Sequence, residues 1–418
     1  MTVEVKKSAL NKLIIVAALG YFVDIYDLVL FSVERKASLT GILGAKLATD
    51  ENLKNIGMLL LNWQMGGMLI GGIVWGMLGD KKGRLSVLFG SILMYSLANI
   101  ANGFVTDIPM YAALRFISGF GLAGELGAGI TLVSESMSKE RRGIGTMIVA
   151  TVGVFGAVVA GFMQDVVTDW RWSFFIGGGM GLVLLVLRIG VFESGMFQHV
   201  KKTNVSRGNL LDLFRKKETA LQYISVILIA VPVWYVMGIL ITFAPEVYKS
   251  LGAPFKPDAG KSIMYAYLGI TVGDLASGLI SQLLKSRKKA LAIFLILTFS
   301  TIYFYFHIGT KSAWHYYTVI TIIGFATGYW AVFMSTAAEL FGTNIRATAT
   351  TTAPNFVRGS VIFLSMLFSF FEKQVFQNYE KKSSEMAAIA VGIVVASLAL
   401  LAWLKLKETF HKDLNYTE

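Results

Sequence analysis

The chain has no cysteine, only four histidines and six prolines in 418 residues, and charged side chains make up just 15% of it. Without cysteine there is no disulfide and no thiolate metal site, and four scattered histidines make no His/Cys cluster for a metal. No complete G-x-x-x-x-G-K-S/T phosphate loop is present, since the GKS at 260–262 has Phe255 where the first glycine would stand, and this argues against an ATP-driven pump. No stretch is long and polar enough to fold as a soluble catalytic domain, so neither an enzyme nor a cofactor is expected. A chain so poor in charge is rich in apolar residues, 55% with a mean hydropathy of +0.62. Soluble domains of this size do not show that balance.

What is there is a series of apolar runs. A membrane-spanning helix needs about 20 mostly apolar residues to cross about 30 Å of hydrocarbon. Twelve such runs can be placed, at 12–33, 54–79, 85–105, 109–136, 143–166, 172–192, 219–248, 258–284, 290–307, 314–340, 347–371 and 384–404. The predicted fold class is an all-α membrane protein of twelve transmembrane helices. A cleavable signal peptide is not expected, because the first run carries Asp24 and Asp27 and no small-residue cleavage site follows it.

Threading the spans in turn puts the basic loops on one side, among them Lys81, Lys82, Arg84, Lys139, Arg141, Arg142, Arg215, Lys216, Lys217, Arg287, Lys288, Lys289, Arg346 and Lys405. Both termini are therefore expected in the cytoplasm of a multi-pass plasma (inner) membrane protein. The net charge of +12 is then an orientation signal with some attraction to anionic lipid. It is not a nucleic-acid footprint, since the charges sit in short loops between spans.

The longest polar segment, 193–218, divides the chain into expected bundles at 1–192 and 219–418, six spans each. A repeat supports the division: SESMSKERRG at 134–143 and AELFGTNIRA at 338–347 each place Glu seven residues before Arg at the end of a span, and the two lie 204 residues apart. GMLGDKKGRL at 76–85 has a looser echo in LISQLLKSRKKA at 279–290. Two pseudo-symmetric bundles in parallel topology, with a site between them, are the expectation.

These segments carry a resemblance. GMLGDKKGR resembles the loop motif of the major facilitator superfamily, and RFISGFGLAGELGAGITLVSE at 115–135 resembles its fourth-span motif; with DWRWSFF at 169–175, nearly the whole chain is covered. The GE within GLAGELGAG and the aromatic–Asp pattern of span one are most similar to metabolite:proton symporters of the sialate or aromatic-acid type, near the sugar porters. ITFAPEVY at 241–248 also resembles a sugar porter, but VPVWY stands at 231–235 where such porters carry amides for sugar hydroxyls. The resemblance implies alternating access, a proton-coupling couple of span-one Asp with span-four Arg, here Asp27 with Arg115, and a cytoplasmic gate of Asp80, Arg84, Glu135 and Arg142. Glu339 and Arg346 are the gate's second-half counterparts.

The residues support parts of this directly. Gly76 and Gly79 let helices approach closely, while Asp80 and Arg84 sit i, i+4 across the turn into span three. Away from the span ends, six ionisable residues fall inside apolar runs: Asp24, Asp27, Arg115, Glu125, Asp274 and Arg358. Such groups default to function, because even lenient insertion scales charge about 2.5–3.5 kcal/mol for each. At 1.5 Å per residue, Asp27 lies about 22 Å along its helix from Lys12 and Arg115 about 9 Å in from Pro109, which is similar depth. Glu125 and Arg358 both fall near the midplane, so Asp27 with Arg115 and Glu125 with Arg358 are expected couples. Asp24 has no clear basic partner at its level. Open alternatives are a permanent Asp27–Arg115 pair, an Asp24 that caps a watery vestibule, and a salt bridge from Arg358 to Glu125 or Asp274.

The function expected is proton-coupled symport of a small organic anion. Asp27, Arg115, Asp24 and Glu125 are the proton-coupling candidates. Arg358 would grip a carboxylate, with Trp234, Tyr235, Tyr329, Trp330, Gln64 and Asp274 as further substrate contacts. The alternatives are a proton antiporter that exports drugs or organic cations, a sugar-porter-like uniporter, and a nutrient sensor. Expected partners are the small-molecule substrate, protons and the lipid bilayer, with a monomeric chain and no nucleic acid or metal.

Overall fold

The computed structural model describes residues 7–138, 141–189 and 208–414, and all the regular elements among them are helices. Twelve are long and apolar enough to cross a membrane: spans 1 to 6 are Lys12–Leu43, Asp50–Lys82, Arg84–Asn102, Ile108–Ser136, Arg142–Val166 and Trp170–Leu187. Spans 7 to 12 are Lys217–Ile241, Ala259–Leu283, Arg287–Lys311, Ala313–Leu340, Arg346–Val375 and Ser383–Lys405. Number and order match the expectation from hydropathy; the ends move. The expected linker at 193–218 falls largely outside the described residues, as does Lys139.

The largest shift is at span 1, which continues from the expected end at 33 as far as Leu43. Glu34, Arg35 and Lys36 therefore ride on the same helix as Asp24 and Asp27, rather than on a loop. Successive spans run in opposite directions, so the start of span 1 and the end of span 12 come to one end of the bundle, here the terminal face; the opposite end is the distal face. Span 1 packs on span 5, span 2 on span 4 and span 3 on span 6, with spans 8 and 10 and spans 7 and 12 similarly paired. Span 2 lies along span 11 and span 5 along span 8, and these two seams join the first six spans to the last six.

Two spans are broken at matching places. In span 4 the helix stops at Leu122 and restarts at Glu125, and in span 10 it stops at Thr327 and restarts at Trp330. The glycines in the breaks, Gly124 and Gly328, are 204 residues apart, the interval already seen between the two Glu/Arg motifs. Span 7 departs from regularity differently: Pro232 removes a backbone donor inside it, and a π-helical turn follows at Val236–Ile241. Irregular backbone at membrane depth is tolerated where protein surrounds it, as it does here.

The seam between spans 2 and 4 shows what the small residues are for. A Cβ on Gly119 would sit 2.1 Å from the Gln64 carbonyl oxygen, and one on Gly67 would sit 2.1 Å from that of Phe116. Backbone faces backbone, with no flexible side chain to give way. Gly119→Val should therefore lower the melting temperature of the purified protein, since overpacking costs about 1–3 kcal/mol or more. Gly66→Val is the control, because a Cβ there meets nothing within 4 Å. Equal melting temperatures for the two variants would show that the helices can part at no cost.

Candidate functional site

The buried charges form three layers. At the terminal face Arg84 reaches Asp80 at 3.3 Å and Glu135 at 2.9 Å, and Glu135 also receives Arg346 at 3.0 Å. Glu339 receives Arg142 at 3.2 Å and Arg287 at 3.1 Å. The two repeated motifs thus exchange partners: the glutamate of each takes the arginine of the other, across the seam. Asp80 accepts from the Ala347 and Thr348 backbone N–H groups and the Thr348 hydroxyl at 3.1, 2.8 and 2.7 Å, which caps the start of span 11 from span 2. All six residues expected at a cytoplasmic gate therefore meet in one lattice.

The chain end finishes that lattice. Arg346 donates to the Leu414 carbonyl at 2.6 Å, Arg142 donates to the Lys412 carbonyl, and Thr409 donates to Glu339 at 2.8 Å. Glu408 sits at the start of span 9, where it accepts from the Arg287 and Lys288 backbone N–H groups. Burial opposes charge on Glu408, yet the Ser286 hydroxyl and the N–H groups of Phe410, Arg287 and Thr409 hold its carboxyl below the usual range. Its contribution is thus complete at neutral and mildly acidic pH and fades only as pH falls through that lowered value.

The central layer lies between the spans. Arg358 is buried against Asp24 at 3.6 Å, too long for a hydrogen bond, and none of its three guanidinium nitrogens has a hydrogen-bond partner; neither does either oxygen of Asp24. A cavity of about 20 Å³ adjoins them, walled by Tyr21, Trp234, Tyr267 and Trp330, with Arg358 lying 5.8 Å from the Trp330 ring centre. The helix restarts at Trp330, which lines the cavity, and Asp274 accepts from the Ala331 N–H of this restart at 3.0 Å. Higher on span 1, Asp27 lies within electrostatic reach of Arg115, and its oxygens also lack hydrogen bonds. Arg115 itself donates to Asn99 at 2.9 Å and to Asn102 at 3.2 Å, under the ring of Phe174.

Several expectations are corrected here. Asp27 and Arg115 are neighbours but not a bonded pair: two asparagines of span 3 take the guanidinium's Nε and Nη2, and Nη1 makes no hydrogen bond. Glu125 does not meet Arg358: it accepts from Arg188 at 2.9 Å, a residue at the end of an apolar run that sequence depth did not single out. Asp24, expected without a partner, is the one that faces Arg358. Tyr235 and Tyr329 turn away from the cavity, their hydroxyls bonded to the carbonyls of Ala388 and Ile229. Gln64 donates to the Leu28 carbonyl and ties span 2 to span 1. Of the expected substrate contacts, Trp234 and Trp330 do line the cavity beside Arg358.

The distal layer was missed. Arg35, wholly buried, donates to Glu246 of the segment after span 7 at 2.9 and 3.2 Å and to the Leu53 carbonyl at 3.1 Å, and it lies over Phe243. Lys54 pairs with Glu372 at 3.1 Å and Lys249 with Asp50 at 2.6 Å. Each of these ties one of the first two spans to the second six. Both faces are thus closed over the centre.

Comparison with known proteins agrees with this architecture. Residues 17–366 match the Major Facilitator Superfamily. The chain is 28% identical to the 3-(3-hydroxy-phenyl)propionate transporter of Escherichia coli strain K12, over 80% of this chain and 81% of that one. It is 26% identical to the putative niacin/nicotinamide transporter NiaP of Bacillus subtilis strain 168, over 85% and 87% respectively. Among solved structures, the proton:xylose symporter XylE bound to 6-bromo-6-deoxy-D-glucose superposes with a TM-score of 0.74 at 17% identity, covering 99% of both chains. That likeness shows the fold.

The lattice at the terminal face has a measurable consequence. Asp80→Asn removes charge from three hydrogen bonds across the seam, each worth about 1.5–3 kcal/mol with a charged acceptor. A lone cysteine at Thr350, which is buried and bonded to Thr131 across the same seam, reports opening without background from native thiols. Its labelling should accelerate about tenfold or more with Asp80→Asn, at roughly 1.4 kcal/mol per decade, and also when the chain is cut after Leu406. An unchanged rate in both would mean that neither Asp80 nor the tail holds this face shut.

Proposed function

The chain belongs to the major facilitator superfamily, as a secondary transporter rather than an enzyme, and from that premise we propose that it carries a small organic carboxylate together with a proton. The observation that carries this reading is Arg358: a buried guanidinium with its hydrogen bonds unmade, beside an aromatic-walled cavity, and opposed only by Asp24 at more than bonding distance. A carboxylate can accept two parallel hydrogen bonds from that planar fork. Two relatives are named for 3-(3-hydroxy-phenyl)propionate and for niacin/nicotinamide; the propionate and niacin are aromatic acids, which suit rings such as Trp234 and Trp330.

Charge balance supplies the coupling. A substrate carboxylate that takes Arg358 displaces Asp24 from the cation that faces it, and a buried carboxylate without a partner costs several kcal/mol. A proton on the carboxylate removes that cost. Substrate anion and proton therefore enter as a neutral sum, and leave as one. Asp27, with Arg115 held by Asn99 and Asn102 beside it, is a second carboxylate whose charged form depends on conformation. On this reading the terminal face is cytoplasmic, and import proceeds by opening the distal layer before the terminal lattice. An organic cation would leave Arg358 without a counter-charge, which disfavours antiport of cations. Gln64 and Gln164 donate to backbone carbonyls rather than into the cavity, which disfavours a sugar.

Arg358→Lys keeps the charge and loses the fork, so affinity for 3-(3-hydroxyphenyl)propionate or niacin, read from ligand-induced thermal stabilisation, should fall about tenfold or more. Normal stabilisation in Arg358→Lys would assign the arginine to structure.

Asp27→Asn mimics a permanently protonated side chain. In proteoliposomes it should abolish accumulation driven by a pH gradient while exchange of substrate for substrate persists, since reorientation of the loaded carrier needs no proton release. Retained accumulation would remove Asp27 from the coupling, and the same phenotype in Asp24→Asn alone would transfer the role one turn along the helix.

A further inference from the structure

The distal face holds an open hollow of about 310 Å³ on the seam between the two sets of spans. Five lysines line it: Lys36, Lys54, Lys249, Lys256 and Lys373. Three carboxylates share the lining, Asp50, Glu51 and Glu246, with Glu246 already engaged by Arg35 below, and Glu372 beside the hollow holds Lys54 at 3.1 Å. Asp50 is shared between Lys249 at 2.6 Å and Lys256 at 4.0 Å, and among the described residues Lys373 is paired with no carboxylate. The hollow thus has a surplus of ammonium groups over the anions that could neutralise them.

Its position gives the surplus a direction. Lys54 and Glu246 in its floor also border a void of about 10 Å³ that Phe243 and Phe368 close. Beneath Phe243, another void of about 10 Å³ runs from Thr242 to Trp234 and Tyr267, and those two rings also wall the cavity at Arg358. A column of small gaps therefore leads from the lysines to the buried arginine, shut at the level of Arg35 and Phe243. The pairs in the hollow are easily exchanged, because Lys249 is 68% and Asp50 46% exposed, and ion pairs in water are worth only about 0–1 kcal/mol. An incoming carboxylate can replace Asp50 on these lysines at little cost.

We propose that this hollow is an entry site for the transported anion, where Lys249 and Lys256, with Lys373 beside them, hold a monocarboxylate before it descends to Arg358. This rests on the carboxylate reading of the central cavity, deepens it by naming a second site, and can fail separately from it. Local lysine charge raises the anion concentration at the mouth and its rate of arrival, an effect that salt screens.

Asn55 lines the hollow and is exposed, and the chain has no native cysteine, so Asn55→Cys labelled with neutral N-ethylmaleimide reports occupancy of this place alone. With 3-(3-hydroxyphenyl)propionate and niacin as probes, a carboxylate at ~10 times its Kd should slow labelling about tenfold by mass action. Protection should persist when Arg358→Gln empties the central site of its cation, weaken at high salt, and vanish in Lys249→Gln/Lys256→Gln. Protection that disappears with Arg358→Gln, or survives the double lysine substitution, overturns the entry site and leaves the central one standing. Protection that persists while Arg358→Gln and the native protein show the same thermal stabilisation by both probes overturns the central reading instead. Should Arg358→Gln not fold, Arg358→Lys serves in its place. No protection by either probe in any background overturns the entry site for aromatic acids.

Discussion

A charge cannot be left alone in hydrocarbon, and that constraint orders this molecule. Among the described residues, each arginine buried within the bundle lies against a carboxylate, an amide oxygen or the face of an aromatic ring, and these partners tie particular helices together. Arg84, Arg142, Arg287 and Arg346 share two glutamates, Glu135 and Glu339, with Asp80 as a further carboxylate on Arg84. Sharing is economical in charge and demanding in geometry: four chain segments must arrive at one place before any of the four arginines is content. The centre is built on the opposite principle. There Arg358 and Asp24 are near enough to cancel at a distance but not bonded, so the site keeps its hydrogen-bonding capacity for something else.

The two closed faces are unequal. The terminal lattice is almost wholly buried, strengthened by a helix cap and by the segment after span 12, whereas on the distal face Lys249–Asp50 is about half in water and Lys54–Glu372 partly exposed. Exposed pairs exchange readily with solvent ions and buried ones do not. A carrier with one firm and one yielding side has a bias in its resting state, and a ligand need supply only the difference in its affinity for the two open forms to reverse it.

How much of this was legible beforehand differs from residue to residue. Twelve spans follow from hydropathy, and the Glu/Arg motifs 204 residues apart announce a repeat. Depth along a helix is also readable, which is why Asp27 and Arg115 were placed near each other. Rotation about the helix axis is not. Glu125 and Arg358 share a depth yet face different neighbours, and Arg188 was overlooked because it follows directly on an apolar run where a charge looks like a boundary. Arg35 was hidden by the assumption that span 1 ends with its apolar run; the helix continues to Leu43 and turns an apparent loop residue into a buried one. The tail left no trace at all. Its contribution is made largely by backbone carbonyls of Lys412 and Leu414, and a carbonyl has no letter in the sequence.

That tail also sets the order of assembly. Translation delivers Glu135 and Arg142 with the first six spans, but the lattice partners Glu339 and Arg346 emerge about two hundred residues later, tens of seconds at roughly 5–20 residues per second. Until then Arg142 has neither Glu339 nor the Lys412 carbonyl to bond. The carbonyls that complete its coordination, and that of Arg346, lie beyond span 12 and are made later still. Full closure of this face thus waits for Leu414: a chain that stops short of Lys412 keeps Glu339 for Arg142 and Glu135 for Arg346 but lacks the two carbonyl acceptors.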